Sequence, residues 1–480
     1  MSKGNSSVIK GFLWKFAESV APQFVSLVVS VILARILSPS DYGTISVVMV
    51  FITIANVFVN EGLGSALIQK KNVDALDYSS VLYVNTLFSI LLYIIVCLLA
   101  PMIASFYGSG YADLCLVLRV LGLRIVFVGI NSVQQAYISK KMQFRKLFGA
   151  TLLATLVSAI IGISMAYGGY GVWALVAQNL ASTLVSTVYL CFSIHKLPIL
   201  AISFSRLKGL LDYGFRILGA GLLSTGYQEL RALIIGKLYS AQDLAFYDKG
   251  RQFPNLVVTN INTSISAVLF PRMAQDQDNI SEITRITRYS IRICAYIMTP
   301  LMLGLAAVAR PFVSVILTEK WLPCVPLMQM FCIIYLFQPI HTANLQAIKA
   351  IGRSDIYLKL EIIKKTIELA SLLAVMWISV DAIVISMAIL TTLFTVINAY
   401  PNIKLLNYSF LEQLKDIMAP FVMSGVMFCG VMLAGLLPVS MLTKLVVQVL
   451  VGIAIYLLLS IITKNKEFYL LLETIKTLFH

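Results

Sequence analysis

Ionisable side chains interrupt long apolar stretches of this sequence. Arg124, Arg231, Lys249 and Arg251 each fall several residues inside such a stretch, and Glu61 and Glu229 do so with the opposite sign. A charge buried in an apolar medium is costly, so embedded charges face a wet cavity or a partner on another helix. Arginine presents a planar fork of donors that matches oxyanions. The set is expected to line a cationic cavity. The plainer alternative is that these polar groups hold helices together.

Other charges have simpler expectations. Arg35 and Lys237 sit near helix ends and can snorkel to the surface. Arg119 lies about two turns from an end, and the same reading is open for it. Lys15 and Glu18 are three apart and can pair. Glu229 and Arg231 are two apart and project about 200° apart on a helix, so each needs a partner elsewhere. Lys15, Glu18 and Arg216 mark a possible cytoplasmic entrance. Arg285, Arg288 and Arg292 mark another, because spacings of three and four put them on one helical face. That face could recruit an anionic head group or simply anchor the chain by its charge. The amphipathic tail at 467–480 is expected to lie on the inner membrane surface.

The elements that position these residues follow from composition. The 480 residues are 59% hydrophobic and 12% charged, with a mean hydropathy of +0.88. A soluble chain is about a quarter charged. Soluble, disordered, coiled-coil and collagen classes are excluded. The expected fold is all-α and polytopic, since a helix needs about 20 apolar residues to cross a bilayer. Fourteen spans are expected, at 11–36, 43–66, 79–104, 112–138, 147–167, 171–194, 210–238, 244–270, 290–318, 325–348, 356–379, 382–403, 415–437 and 441–463. With the N-terminus inside, 25 of the 37 Lys and Arg fall at the cytoplasmic side and two outside. The positive-inside rule then sets both termini in the cytoplasm.

The same charge asymmetry accounts for most of the net +15, so no nucleic-acid partner is implied. Three scattered histidines (His195, His341, His480) make no metal centre, and the seven cysteines form no CxxC pair. No phosphate-binding GxxxxGK[ST] loop occurs, and no cofactor is expected. The basic start runs into an apolar stretch with no small-residue cleavage site, so no cleaved signal peptide is expected. The outer links are too short for a catalytic module.

Two echoes point to an internal repeat. ARILSPSDYG (34–43) matches GKLYSAQDLA (236–245), and QAYISKKMQFRKL (135–147) resembles QAIKAIGRSDIYL (346–358). The expected organisation is a first lobe at 1–195 (spans 1–6), a second at 196–405 (spans 7–12), and two appended helices with the tail at 406–480. Repeat transporters bind near mid-membrane between their halves.

ILARILSPSDYG (32–43), GSALIQKKNVDALDYSSVLYVN (64–85), QQAYISKKMQFRKL (134–147), YGVWALVAQNL (170–180) and LFPRMAQ (269–275) carry a family likeness. The chain resembles the polysaccharide-transporter branch of the multidrug/oligosaccharidyl-lipid/polysaccharide exporter superfamily, in particular Wzx-type flippases of colanic and teichuronic acids. The resemblance implies a two-lobed fold of fourteen helices with a central cavity, and no enzyme chemistry. It also implies a substrate, an oligosaccharide on undecaprenyl pyrophosphate, flipped across the bacterial inner membrane. Implied partners are that lipid-linked oligosaccharide, membrane lipids, and a polysaccharide polymerase and chain-length regulator. In this frame Arg124, Arg231, Lys249 and Arg251 would meet the pyrophosphate. Asn60, Asn255 and their amide neighbours would meet sugar. A cation antiporter on the same fold would want acids in the cavity, whereas the embedded charges lean basic. A membrane glycosyltransferase or polymerase would want a long outer loop, which the sequence lacks.

Overall fold

The computed structural model describes residues 22–60, 67, 73–108, 110–111, 113–194, 203–275 and 279–479. Helices account for nearly all of them. They run α1 (Pro22–Ile36), α2 (Pro39–Val59), α3 (Ala75–Tyr107), α4 (Leu114–Lys140), α5 (Phe144–Tyr167), α6 (Val172–Ser193), α7 (Phe204–Leu238) and α8 (Ala241–Gln275). They continue through α9 (Ile280–Ile316), α10 (Cys324–Leu336), α11 (Gln338–Ala350), α12 (Ser354–Val375), α13 (Val380–Leu405), α14 (Phe410–Ala434), α15 (Met441–Ile462) and α16 (Lys466–Phe479).

Each expected span overlaps a helix over most of its described residues, with ends that differ by a few residues. Among the described residues, ten helical segments are long and apolar enough to cross a membrane, with α10 and α11 together forming one. Helices α7, α8 and α12 are long enough but too polar to count among them. Two of these carry Arg231, Lys249 and Arg251, three of the four embedded cations, whereas Arg124 lies on α4, which is apolar enough to count. The expected span at 325–348 is broken at Phe337. Pro339 brings no backbone N–H, and Ile340 and His341 restart the ladder by donating to the Phe337 carbonyl.

Burial is arranged for a lipid solvent. The most apolar stretch of α3 has a mean hydropathy of 2.7, yet only 11% of it is buried. Leu87, Leu98, Leu436 and Ile462 stand exposed, while Asn85, Asn344, Asn398 and Asn402 are fully buried. Polar side chains join helices inside, and apolar ones face outward.

The chain divides into two compact units, Met1–Ala245 and Phe246–His480. In the first, α4 is central and touches α2, α3, α5 and α6. Asn85 of α3 ties three helices together. Its Nδ2 donates to the Val59 carbonyl at 3.3 Å, the Gly129 carbonyl at 3.0 Å and Ser132 Oγ at 2.8 Å. Gly129 permits that approach, since a Cβ there would sit 2.4 Å from Ser89 Oγ.

In the second unit α9 is central, against α10, α11, α14, α15 and α16. Two buried polar links cross α11, α13 and α14. His341 Nε2 meets Thr395 Oγ1 at 2.9 Å, and Asn398 Nδ2 meets His341 Nδ1 at 3.0 Å. Asn344 Nδ2 donates to Gln413 Oε1 at 2.8 Å, and Asn402 Nδ2 donates to Asn344 Oδ1 at 2.7 Å. His341 is thus a helix tie. Among the described residues no cluster of metal ligands occurs. All seven cysteines are free thiols; Cys294, Cys324 and Cys332 are buried, and Cys191 and Cys429 are exposed.

The first sequence echo is also a structural one. Ser38 N and Oγ donate to Asp41 Oδ2 at 3.0 and 2.6 Å. Ser240 N and Oγ donate to Asp243 Oδ2 at 3.1 and 2.6 Å. Each serine and aspartate close the start of the following helix as a reciprocal cap.

The second echo is a shared turn shifted by one residue from the sequence match. Met142 and Gly352 both have positive φ, with Gln143 N bonded to the Ile138 carbonyl and Arg353 N to the Ile348 carbonyl. The same turn closes helices at Gly169 and Lys464, so it is ordinary helix punctuation. Beyond Gly352, Arg353 donates to both Asp355 oxygens at 2.9 and 2.8 Å. Those hydrogen bonds hold the Asp355 carboxyl well below the usual carboxylate range.

Candidate functional site

Within the first unit, one face of α4 reads Arg124, Val128, Asn131, Ser132, Gln135 and Ser139. These positions recur every three or four residues, so they line a single stripe. Asn56 and Asn60 of α2, Thr151 of α5, and Ser182, Thr183 and Ser186 of α6 face it. Together they enclose a cavity of about 660 Å³. That lies in the usual range for small-molecule sites.

Among the described lining residues, Arg124 is the cation. Its Nε donates to Thr183 Oγ1 at 3.0 Å, and Nη1 lies 3.5 Å from Met49 Sδ, a weak acceptor. Among the described residues no carboxylate pairs with it. The wall beside it is a chain of amides and hydroxyls. Asn131 Nδ2 donates to Ser186 and Thr187 hydroxyls at 3.2 Å each, and Gln135 Nε2 donates to Asn131 Oδ1 at 2.5 Å. Asn56 Oδ1 is buried and accepts no hydrogen bond from the described residues. A half-buried guanidinium with donors to spare, ringed by neutral polar groups, can hold an oxyanion and hydroxyl-rich neighbours.

Of the residues expected from sequence, Arg124 and Asn60 come together here. Glu61, Lys15 and Glu18 lie outside the described residues, as does the side chain of Arg216. Glu229 and Arg231 are half-buried on α7 and do not line this cavity; Arg231 lies 5.5 Å over the Tyr227 ring, with Nη2 3.5 Å from its hydroxyl.

The second unit holds the others. Lys249 is 5% exposed, donates to Gln252 Oε1 at 3.0 Å and lies 5.7 Å over the Trp321 ring. Arg251 is 3.9 Å from Asp248 and 5.9 Å over the Tyr247 ring. Asn255 is exposed and accepts from Thr259. Arg285, Arg288 and Arg292 are ion-paired with Glu282, Asp416 and Glu467 at 2.6 Å each. At one helix end, Lys237 donates to the Phe106 carbonyl and lies over that ring, as a snorkelling lysine does.

The stripe from Asn131 to Ser139 and the α6 hydroxyls were not singled out by sequence. Their sequence signal is a helical period of polar residues that begins at Arg124. The second unit also has an apolar groove of about 660 Å³, lined by residues of α9, α14 and α15 such as Leu301, Leu305, Met427, Val449 and Ile453.

Residues 32–326, which are 295 of the 480, match the family described as polysaccharide biosynthesis protein. The chain belongs to that family. The matched stretch contains the whole Arg124 cavity. Among relatives, the succinoglycan biosynthesis transport protein ExoT of Rhizobium meliloti is 23% identical over 66% of this chain and 63% of its own length. The chain therefore spans less than two thirds of that relative. The lipopolysaccharide biosynthesis protein WzxC of Escherichia coli is 23% identical over 74% of this chain and 72% of its own. Among solved structures, the lipid II flippase MurJ in an inward closed conformation superposes with a TM-score of 0.75. It is 15% identical and covers 95% of this chain and 99% of its own. The family member described here thus has the MurJ fold.

Proposed function

We propose that the protein is a flippase. It carries an oligosaccharide linked to undecaprenyl pyrophosphate across the bacterial cytoplasmic membrane by alternating access, for surface polysaccharide synthesis. Spans 1–6 and 7–12 act as two lobes with both termini inside, and a polymerase and chain-length regulator act downstream. The observation that carries this is Arg124 in a wall of amides and hydroxyls, with no acid among the described lining residues. A pyrophosphate crossing about 30 Å of hydrocarbon needs such a cation. A cation antiporter would need the opposite sign there. The apolar groove of the second unit supplies surface for a polyprenyl chain. The names of two relatives, a succinoglycan biosynthesis transport protein and a lipopolysaccharide biosynthesis protein, agree with a sugar cargo. Surface polysaccharide measured in cells carrying Arg124→Ala tests the idea. Export is lost and partly restored by Arg124→Lys, with the protein still inserted; normal export in the alanine variant contradicts it.

A further inference from the structure

The arginine face of α9 lines a groove in the second unit. Arg285, Arg288 and Arg292 share a groove of about 280 Å³ with Lys466 and Leu470 of α16 and with Tyr289. Each guanidinium is held in place by a carboxylate. Arg288 bridges to Asp416 of α14, which also accepts from Tyr408 Oη at 2.8 Å, and Arg292 bridges to Glu467 of α16.

The pairs are lopsided in exposure. The side chains of Arg285, Arg288 and Arg292 are 73, 45 and 33% exposed, against 21, 10 and 11% for their acids. The carboxylates are less exposed than the guanidinium groups, so the groove presents net positive charge despite Glu467 in its lining and Glu282 and Asp416 beside it. An arginine keeps several N–H donors after one bidentate pairing. Leu470 and Ile293 line the same groove, and Tyr289 is half exposed beside it. A ligand that fits has an anionic head and the start of an apolar chain.

We propose that this groove binds an anionic phospholipid of the surrounding bilayer, whose phosphate bridges α9 to α16. Basic pockets between membrane helices take such head groups, and an amphipathic helix at the interface meets them. The groove shares no lining residue with the Arg124 cavity, and its test does not depend on transport.

The experiment uses the full chain purified in neutral detergent. Retained lipid is read by native mass spectrometry, and melting temperature is read after adding phosphatidylglycerol, phosphatidylcholine, a polyprenyl phosphate or inorganic phosphate. Phosphatidylglycerol is expected to be retained and to raise the melting temperature, and phosphatidylcholine is not. Arg285→Gln with Lys466→Gln keeps both interhelical bridges and weakens phosphatidylglycerol binding by about thirtyfold, the loss set by two surface charges. If that pair does not accumulate, Lys466→Gln alone is expected to weaken binding about fivefold. Equal retention of the two phospholipids, equal stabilisation by inorganic phosphate, preference for the polyprenyl phosphate, or wild-type binding by the variants overturns the proposal.

Discussion

A Cβ on Gly43 would lie 1.8 Å from the carbonyl oxygen of Ala241. Gly43 follows the Ser38–Asp41 cap and Ala241 lies inside the matching Ser240–Asp243 cap, so the starts of α2 and α8 meet main chain to main chain. No side chain fits between them. Gly43→Ala must push the backbones apart, and overpacking of this kind costs about 1–3 kcal/mol. Thermal unfolding of the purified protein is expected to fall by several degrees. A melting temperature equal to wild type would show that the contact yields freely.

The buried tie between α11 and α13 makes a second prediction. His341→Ala leaves Thr395 Oγ1 and Asn398 Nδ2 without the ring nitrogens they face at 2.9 and 3.0 Å. Stranding buried polar groups costs about 1–3 kcal/mol each. Reduced thermal stability is expected without any change in metal content, because the histidine joins helices. A metal-dependent stability in the wild type would argue for another role.

The fold was legible where one residue type dominated a long window. Apolar runs located the helices, and the Ser and Asp at 38–41 and 240–243 marked their starts. The break at Phe337 was hidden because the apolar pattern continues through it, and only Pro339 signals the missing donor. The site was half legible. Arg124 stood out as a charge among apolar residues. Asn131, Ser132, Gln135 and Ser139 did not, since neutral polar side chains are common glue in membrane helices and become a lining only when α2, α5 and α6 face them. Arg251 illustrates the converse. Asp248, three residues earlier, was close enough on the helix to serve as its partner, and the structure pairs the two at 3.9 Å.

Orientation gives the third prediction. The proposed topology places the link after α3 outside and the link between α15 and α16 inside. In a cysteine-free background, Gly110→Cys in intact cells is expected to react with a membrane-impermeant maleimide. Lys464→Cys is expected to react only after the membrane is opened. The reverse pattern would invert the chain and move the arginine face of α9 to the outer surface.

Flipping by the purified protein tests the central claim most directly. Proteoliposomes loaded with a fluorescent undecaprenyl-pyrophosphate-linked oligosaccharide report translocation as label becomes accessible to an impermeant quencher. Wild-type protein is expected to expose the label. Arg124→Ala is expected to slow it by about tenfold to a hundredfold, the loss of one charge-assisted contact, and Arg124→Lys is expected to fall between. Translocation at the wild-type rate by Arg124→Ala, or no translocation by the wild type in any imposed ion gradient, would contradict the account.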